Sequence, residues 1–98
     1  MRAVLCKELG MPDSLVLEEV PDLIAGAGQV LISVEACGVN FPDTLIIQGK
    51  YQFKPELPFS PGGEISGVIK QVGPDVDNLK IGDRVIAFST WGGFAEEL

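Results

Sequence analysis

The most informative absence in this 98-residue sequence is histidine, which does not occur at all. Without an imidazole, the chain has no Ser–His–Asp or Cys–His catalysis and no histidine-ligated metal site. Cysteine is scarce too, with only Cys6 and Cys37. A lone disulfide is uncommon in a reducing compartment, so we expect two buried thiols. Acid–base chemistry is left to carboxylates, Tyr, Lys, Cys or a cofactor.

Basic side chains and long apolar runs are also in short supply. Seven basic residues face fourteen acidic ones, giving a net charge of -7, and the basic residues are scattered singly. Nucleic acid is therefore a poor partner, because phosphate binding needs a basic footprint. No apolar run approaches the roughly 20 residues that span a bilayer, and the N-terminus lacks a secretory pattern. The sequence predicts no membrane partner and a cytoplasmic location.

The pattern predicts short strands separated by Gly and Pro, over residues 2–8, 15–20, 30–36, 64–72 and 84–88, with a last strand starting at Gly93. Asn40 is placed to cap one short helix, with Pro42 in its first turn. Three prolines make residues 51–61 an irregular loop, and Gly67 indicates a bulge or bend. We expect a mainly β domain with one short helix, most simply a partly open barrel.

The last predicted strand is still running at Leu98. We interpret residues 1–98 as one domain of a longer protein, a fragment truncated near Leu98. A chain of this length has room for a single small core.

Three motifs carry a family resemblance: the run from Glu35 to Thr44, the turn Pro61-Gly62-Gly63-Glu64, and Gly82-Asp83-Arg84-Val85. In this order they resemble the first domain of the medium-chain dehydrogenase/reductase superfamily. Its zinc-dependent alcohol dehydrogenases place a ligating Cys where this chain has Asn40 and a ligating His where it has Gly63. The zinc-independent quinone oxidoreductase branch is therefore the closer match, and no metal is expected.

The resemblance implies a GroES-like barrel that is normally followed by a Rossmann domain, absent here. It further implies the N-terminal catalytic domain of an NADPH-dependent oxidoreductase, inactive as this fragment alone and a homodimer at full length. The implied acceptor is a quinone, an enone or an enoyl thioester. A conjugated acceptor spreads the charge that hydride brings, so hydrogen bonds can replace a metal. The preference for NADPH comes from the resemblance alone.

The same resemblance implies roles for six residues. Asn40 is implied as catalytic and cofactor-binding, Phe41 and Asp43 as cofactor-binding, and Tyr51 as catalytic and substrate-binding. Aromatic rings bury much area with little rotamer cost, so Phe59 and Trp91 are candidates for an apolar wall around a planar substrate.

Each of these residues also has a structural interpretation, which stays open at this point. Asn40 and Asp43 suit the capping of a helix start. Tyr51 can cover the helix, and Phe59 and Trp91 can serve ordinary packing.

Two further positions bear on the site. Many relatives carry a Tyr where this chain has Leu45, which puts tyrosine-assisted proton transfer from that position in doubt. Glu64 and Arg84 are predicted to form a buried, stabilising pair.

Two rival interpretations assign no chemistry. One is an acidic, co-chaperonin-like binding module that shares the barrel. The other is a non-catalytic protein similar to quinone oxidoreductases, as in crystallins and vesicle-associated proteins. Binding of NADPH and turnover by the complete protein would separate these from an enzyme.

Overall fold

The computed structural model describes the whole chain, from Met1 to Leu98. Its elements are β1 (Arg2–Leu5), a 3-10 turn (Pro12–Ser14), β2 (Val16–Glu19), β3 (Val30–Cys37), α1 (Phe41–Ile46), β4 (Glu64–Val72) and β5 (Arg84–Phe88). The predicted mainly β fold with one short α-helix is confirmed. Strand β1 is shorter than predicted because Cys6 turns to Phe59, exchanging two backbone hydrogen bonds of 2.7 and 3.2 Å.

Two antiparallel sheets, β1–β2 and β3–β4–β5, are joined by the last residues of the chain. The Val4 N–H donates to the Phe94 carbonyl at 2.8 Å, and Ile32 and Leu98 exchange hydrogen bonds of 2.8 and 3.0 Å. Residues 94–98 therefore lie between β1 and β3 and contact both. The strand predicted from Gly93 exists as this bridging segment, and the predicted partly open barrel is confirmed.

The predicted irregularity at Gly67 is a β-bulge between β3 and β4. Val34 pairs with Gly67 and Ala36 pairs with Ser66, so Glu35 has no partner on the opposite strand. A Cβ atom at Gly67 would collide with the Ser33 carbonyl oxygen. Glycine is required here because the backbones of the two strands approach more closely than a side chain permits.

Seven of the buried apolar residues form two clusters. One contains Cys6, Ile46, Ile47 and Phe59, and the other contains Ile32, Ile65 and Ile69. The first cluster packs α1 and the irregular 51–61 loop against the end of β1. The second fills the space under the three-stranded sheet.

Helix α1 begins as the sequence indicates. Asn40 is the N-cap with an extended backbone, Pro42 lies in the first turn, and Ile46 is buried. Proline lacks a backbone N–H, and this costs no hydrogen bond in the first turn because first-turn amides have no partner within the helix.

The two cysteines are both free thiols. Cys6 is completely buried, as predicted, whereas Cys37 is only half-buried. None of the helices combines the length and the apolar character that a membrane crossing requires.

The close approach at Gly67 leads to the first prediction. Gly67→Ala is expected to lower the free energy of unfolding by about 1–3 kcal/mol, because the added methyl group meets rigid backbone. Urea unfolding measures this. The matched control is Gly26→Ala, where the new Cβ would meet only the flexible Gln29 side chain. An equal loss in both variants would contradict the bulge as the cause.

Candidate functional site

A cleft of about 330 Å³ opens where the start of α1, the turn before β4 and the chain after β5 converge. Its lining combines an amide, two carboxylates, a phenol and two hydroxyl side chains with the apolar surface of Pro42 and Phe88. The lining residues are Asn40, Pro42, Asp43, Tyr51, Gly63, Glu64, Phe88, Ser89 and Thr90. Of the six residues that the resemblance singled out, the structure brings Asn40, Asp43 and Tyr51 together here.

Asp43 is the buried anchor of the cleft, with only 6% of its surface exposed. One carboxylate oxygen accepts from the Asn40 backbone N–H at 2.8 Å, and the other accepts from the Gly62 N–H at 3.1 Å. A buried carboxylate is tolerated when backbone amides satisfy it, and such charge-assisted bonds are among the stronger ones. Asp43 therefore fixes the turn at Gly62 against the start of α1.

Asn40 and Glu64 meet across the cleft. The Asn40 side-chain Nδ2 donates to Glu64 Oε1 at 3.2 Å. Below them lies Gly38, where an added Cβ would be 2.8 Å from Glu64 Oε1 and 3.1 Å from Asn40 Nδ2. The absence of a side chain at Gly38 leaves the room in which these two side chains contact each other.

The predicted buried pair of Glu64 with Arg84 is wrong. In the β4–β5 register, Glu64 lies opposite Phe88, and Arg84 lies opposite Val68. Four strand positions, about 13 Å, separate Arg84 from the Glu64 partner. Arg84 is exposed, so the carboxylate of Glu64 is free to serve the cleft.

Gly63 allows the chain after β5 to form one wall of the cleft. The Ser89 N–H donates to the Gly63 carbonyl at 2.8 Å, and a Cβ at Gly63 would lie 2.7 Å from the Ser89 carbonyl oxygen. Any side chain at position 63 would push this wall away. Ser89 and Thr90 thus reach the cleft because residue 63 is a glycine.

The sequence analysis missed Phe88, Ser89 and Thr90. The pattern placed Phe88 at the end of a strand, but nothing in it showed that β5 pairs antiparallel with β4. With that pairing, the residues after β5 necessarily return to the Pro61–Glu64 turn. The available signal was the two adjacent glycines, Gly62 and Gly63, which indicate a close approach by another backbone.

The remaining predicted site residues lie around the cleft and do not line it. Phe59 is buried in the first core cluster, against which Tyr51 packs. Phe41 is 73% exposed beside the cleft, and Trp91 is partly exposed. The Trp91 carbonyl accepts from the Ser89 hydroxyl at 2.8 Å, so this residue contacts the wall through its backbone.

The cleft contains no basic side chain. Asp43 and Glu64 are its charged lining residues. Asp43 is buried, and both of its carboxylate oxygens are occupied by backbone N–H groups. Glu64 is therefore the charge that a molecule in the cleft would meet. No group of three or more His, Cys, Asp and Glu side chains is arranged to hold a metal ion.

Cys37 packs against Gly62, the residue before the cleft-lining Gly63. Cβ atoms added at Gly62 or Gly93 would each be 2.8 Å from its sulfur, so the thiol fills the space between two glycines. Burial raises the pKa of Cys37, and burial likewise raises the pKa of Cys6. Both side chains are neutral thiols at neutral pH and act in packing.

The fold and cleft can now be compared with known proteins. A family model, the alcohol dehydrogenase GroES-like domain, matches residues 26–97. The class is thus a GroES-like domain of the alcohol dehydrogenase type. Quinone oxidoreductase-like protein 2 of Rattus norvegicus is 46% identical over 96 residues, and quinone oxidoreductase of Homo sapiens is 47% identical over 98 residues. The chain belongs to the medium-chain dehydrogenase/reductase superfamily, in its quinone oxidoreductase branch.

A solved structure gives the same result. Escherichia coli quinone oxidoreductase complexed with NADPH superposes with a TM-score of 0.92 at 30% identity, over 100% of this chain. The match covers 30% of that chain, and the rat and human proteins are covered to 27% and 30% while 98% of this chain is matched. The chain therefore spans less than a third of the length of these relatives.

The thiol environments lead to the second prediction. In the folded chain at pH 7, Cys6 is expected to be inert towards a thiol-specific disulfide reagent and Cys37 to react slowly, whereas both react at once in urea. The Cys37→Ala variant assigns the slow phase. Since both folded pKa values are raised, the stability contributed by the neutral thiols is present below the ordinary thiol pKa and lost as pH rises through the folded values. Fast labelling of both thiols without urea would contradict this burial.

Proposed function

We propose that residues 1–98 form the N-terminal, substrate-side domain of an NADPH-dependent quinone oxidoreductase or enone reductase that works without zinc. The observation that carries this proposal is the cleft: an oriented amide, a phenol and hydroxyl groups around a space with no metal-ligating cluster. Membership of the quinone oxidoreductase branch supports it. In this proposal a Rossmann domain follows residue 98 in the complete protein.

The polar groups of the cleft favour a conjugated acceptor. When hydride adds to a quinone or enone, the charge spreads over several atoms, and neutral hydrogen-bond donors are sufficient to stabilise it. Tyr51 supplies one such donor and Asn40 another. An isolated carbonyl develops a full alkoxide, for which relatives with zinc use a Lewis acid.

The cofactor end that fits this cleft is the neutral nicotinamide–ribose end. Asn40 offers an amide to it, and the exposed Phe41 ring offers an apolar surface beside the helix start. The cofactor supplies the hydride when bound. Phosphate groups have no cation here, so their binding falls to the second domain.

In this proposal three of the predicted residues act indirectly. Asp43 holds the backbone of the cleft through its two amide hydrogen bonds. Phe59 belongs to the core cluster against which Tyr51 packs, and Trp91 fixes Ser89 through its carbonyl oxygen. Direct contact with the reactants is assigned to Asn40, Phe41 and Tyr51, with Phe88 as the apolar wall.

Other features of the complete protein stay predictions. These are the homodimer, the cytoplasmic location, and the choice among a quinone, an enone and an enoyl thioester. The non-catalytic alternatives, a co-chaperonin-like module or a quinone oxidoreductase-like protein without activity, predict a cleft that supports no turnover.

The third prediction tests the enzymatic proposal with a chimera. Residues 1–98 replace the matching segment of human quinone oxidoreductase, to which they are 47% identical. The chimera is expected to oxidise NADPH in the presence of a quinone, and the 98-residue chain alone is not, because it lacks the second domain. The decrease in the long-wavelength absorbance of NADPH measures its oxidation by the chimera and by the 98-residue chain.

A second chimera tests whether the junction between the two segments is tolerated. Replacing the same segment by that of the rat quinone oxidoreductase-like protein 2 shows whether the junction itself is tolerated. A folded chimera that binds NADPH but does not turn over any quinone or enone would contradict the proposal and favour a non-catalytic role.

The fourth prediction concerns the charge of the acceptor. Because Glu64 is the accessible charge of the cleft, a neutral naphthoquinone is expected to exceed its sulfonated analogue in kcat/KM by about tenfold at low salt. Thr90→Lys places a cation at the rim and should reduce that ratio. Asn78→Lys adds the same charge to the turn at the far end of β4, about 30 Å away, and should leave the ratio unchanged. Equal ratios in all three proteins would contradict this selectivity.

A further inference from the structure

Glu64 occupies an unusual position among the carboxylates of this chain. It is half-buried, it has no basic partner, and its recorded side-chain contact is the Asn40 amide at 3.2 Å. The ionised side chains of Lys70 and Glu97, by contrast, form an ion pair of 3.1 Å. Because no cation pairs with Glu64, a stabilising ion pair does not explain why this carboxylate lies beside the cleft.

The chemistry of the two groups fixes their relative orientation. An ionised carboxylate only accepts hydrogen bonds, whereas an amide has a donor end and an acceptor end of nearly the same shape. Glu64 therefore favours the Asn40 orientation in which the NH₂ group points towards β4, an orientation that leaves the amide oxygen for the capping box with the Asp43 backbone N–H. The opposite orientation would set the amide oxygen against a negative charge.

Two backbone features hold this pair in place. Glu64 is the first residue of β4, where its carbonyl accepts from the Gly38 N–H at 2.8 Å. Asn40 is the N-cap of α1, and its backbone N–H is held by Asp43. Gly38 lies between them and provides the room for the contact, so both side chains start from fixed backbone.

We propose that Glu64 is a positioning residue, which fixes the side-chain amide of Asn40 so that its donor and acceptor ends are assigned before a ligand enters the cleft. For its effect on turnover this inference rests on the proposed function. Its structural content does not, because the hydrogen bond exists in the chain itself. A preset amide avoids the loss of rotational freedom when the reactants bind.

The fifth prediction tests the contact directly by NMR. The sequence has two asparagines, Asn40 and Asn78, so labelling Asn with ¹⁵N gives two side-chain NH₂ signals. Acidifying the sample until the carboxylates are protonated is expected to move the Asn40 signal and not that of Asn78, which serves as the internal reference. Asp43, Cys37 and Tyr51 are the other titratable groups around Asn40.

Three variants separate Glu64 from those groups. Glu64→Gln keeps an acceptor oxygen but abolishes the part of the pH-dependent shift that Glu64 causes. Glu64→Ala removes the partner, and its Asn40 signal moves towards that of the exposed Asn78. Gly38→Ala keeps the carboxylate but forces the two side chains apart, and it should weaken the shift. An Asn40 signal that is the same in all four proteins would overturn the proposal.

Kinetics of the chimera give a second, independent measurement. Glu64→Ala is expected to lower kcat about tenfold with KM changed less than about threefold, the size expected from losing one orienting hydrogen bond. Glu64→Gln should recover most of that loss. The control Glu35→Gln removes an exposed carboxylate at the bulge and should change neither constant.

The outcomes distinguish the two proposals. Equal kinetic losses in the Ala and Gln variants would overturn positioning by hydrogen bonding, even in an active chimera. An inactive chimera combined with the Glu64-dependent Asn40 signal would overturn the proposed function while the positioning role stands.

Discussion

The site depends on one buried carboxylate. Asp43 accepts backbone N–H groups from Asn40 and from Gly62, and so joins the start of α1 to the turn before β4. Its 6% exposure means that water does not compete for these hydrogen bonds. These two segments form two sides of the cleft, and Asp43 holds them in their relative position. A longer or shorter side chain at this position would change the distance between every pair of groups that face each other across the cleft.

Glycines shape the cleft as much as side chains do. Gly63 admits the backbone of Ser89, Gly38 leaves room for Asn40 and Glu64, and Gly62 with Gly93 encloses the Cys37 thiol. At each of these positions a Cβ atom would lie within 3 Å of another group. The polar residues are therefore close together because glycine occupies the positions where the segments contact one another.

The sequence predicted the parts of the fold that are local in origin. The start of α1 follows from Asn40 and Pro42, and the bulge follows from Gly67, because each depends on the conformational range of one or two residues. Pairings across long sequence distances were not accessible in the same way. The partner of Glu64 depends on the β4–β5 register, and the position of Phe59 depends on Cys6 leaving β1 to pair with it. Hydrophobicity alone does not distinguish a core phenylalanine from one that lines a cleft.

The residues at positions 40 and 63 explain why the neighbouring Glu64 is placed where it is. With any side chain at position 63, the Ser89 backbone would have to move away, because a Cβ atom there would lie 2.7 Å from the Ser89 carbonyl oxygen. With glycine, the Ser89–Thr90 wall packs against the turn, and the Glu64 carboxylate contacts the Asn40 amide. Because an anion without a counter-ion is costly to bury, it remains half-exposed and satisfied by the Asn40 NH₂ group. An acidic side chain without a counter-ion can thus act as the acceptor that orients Asn40, which is the positioning role that we propose for Glu64.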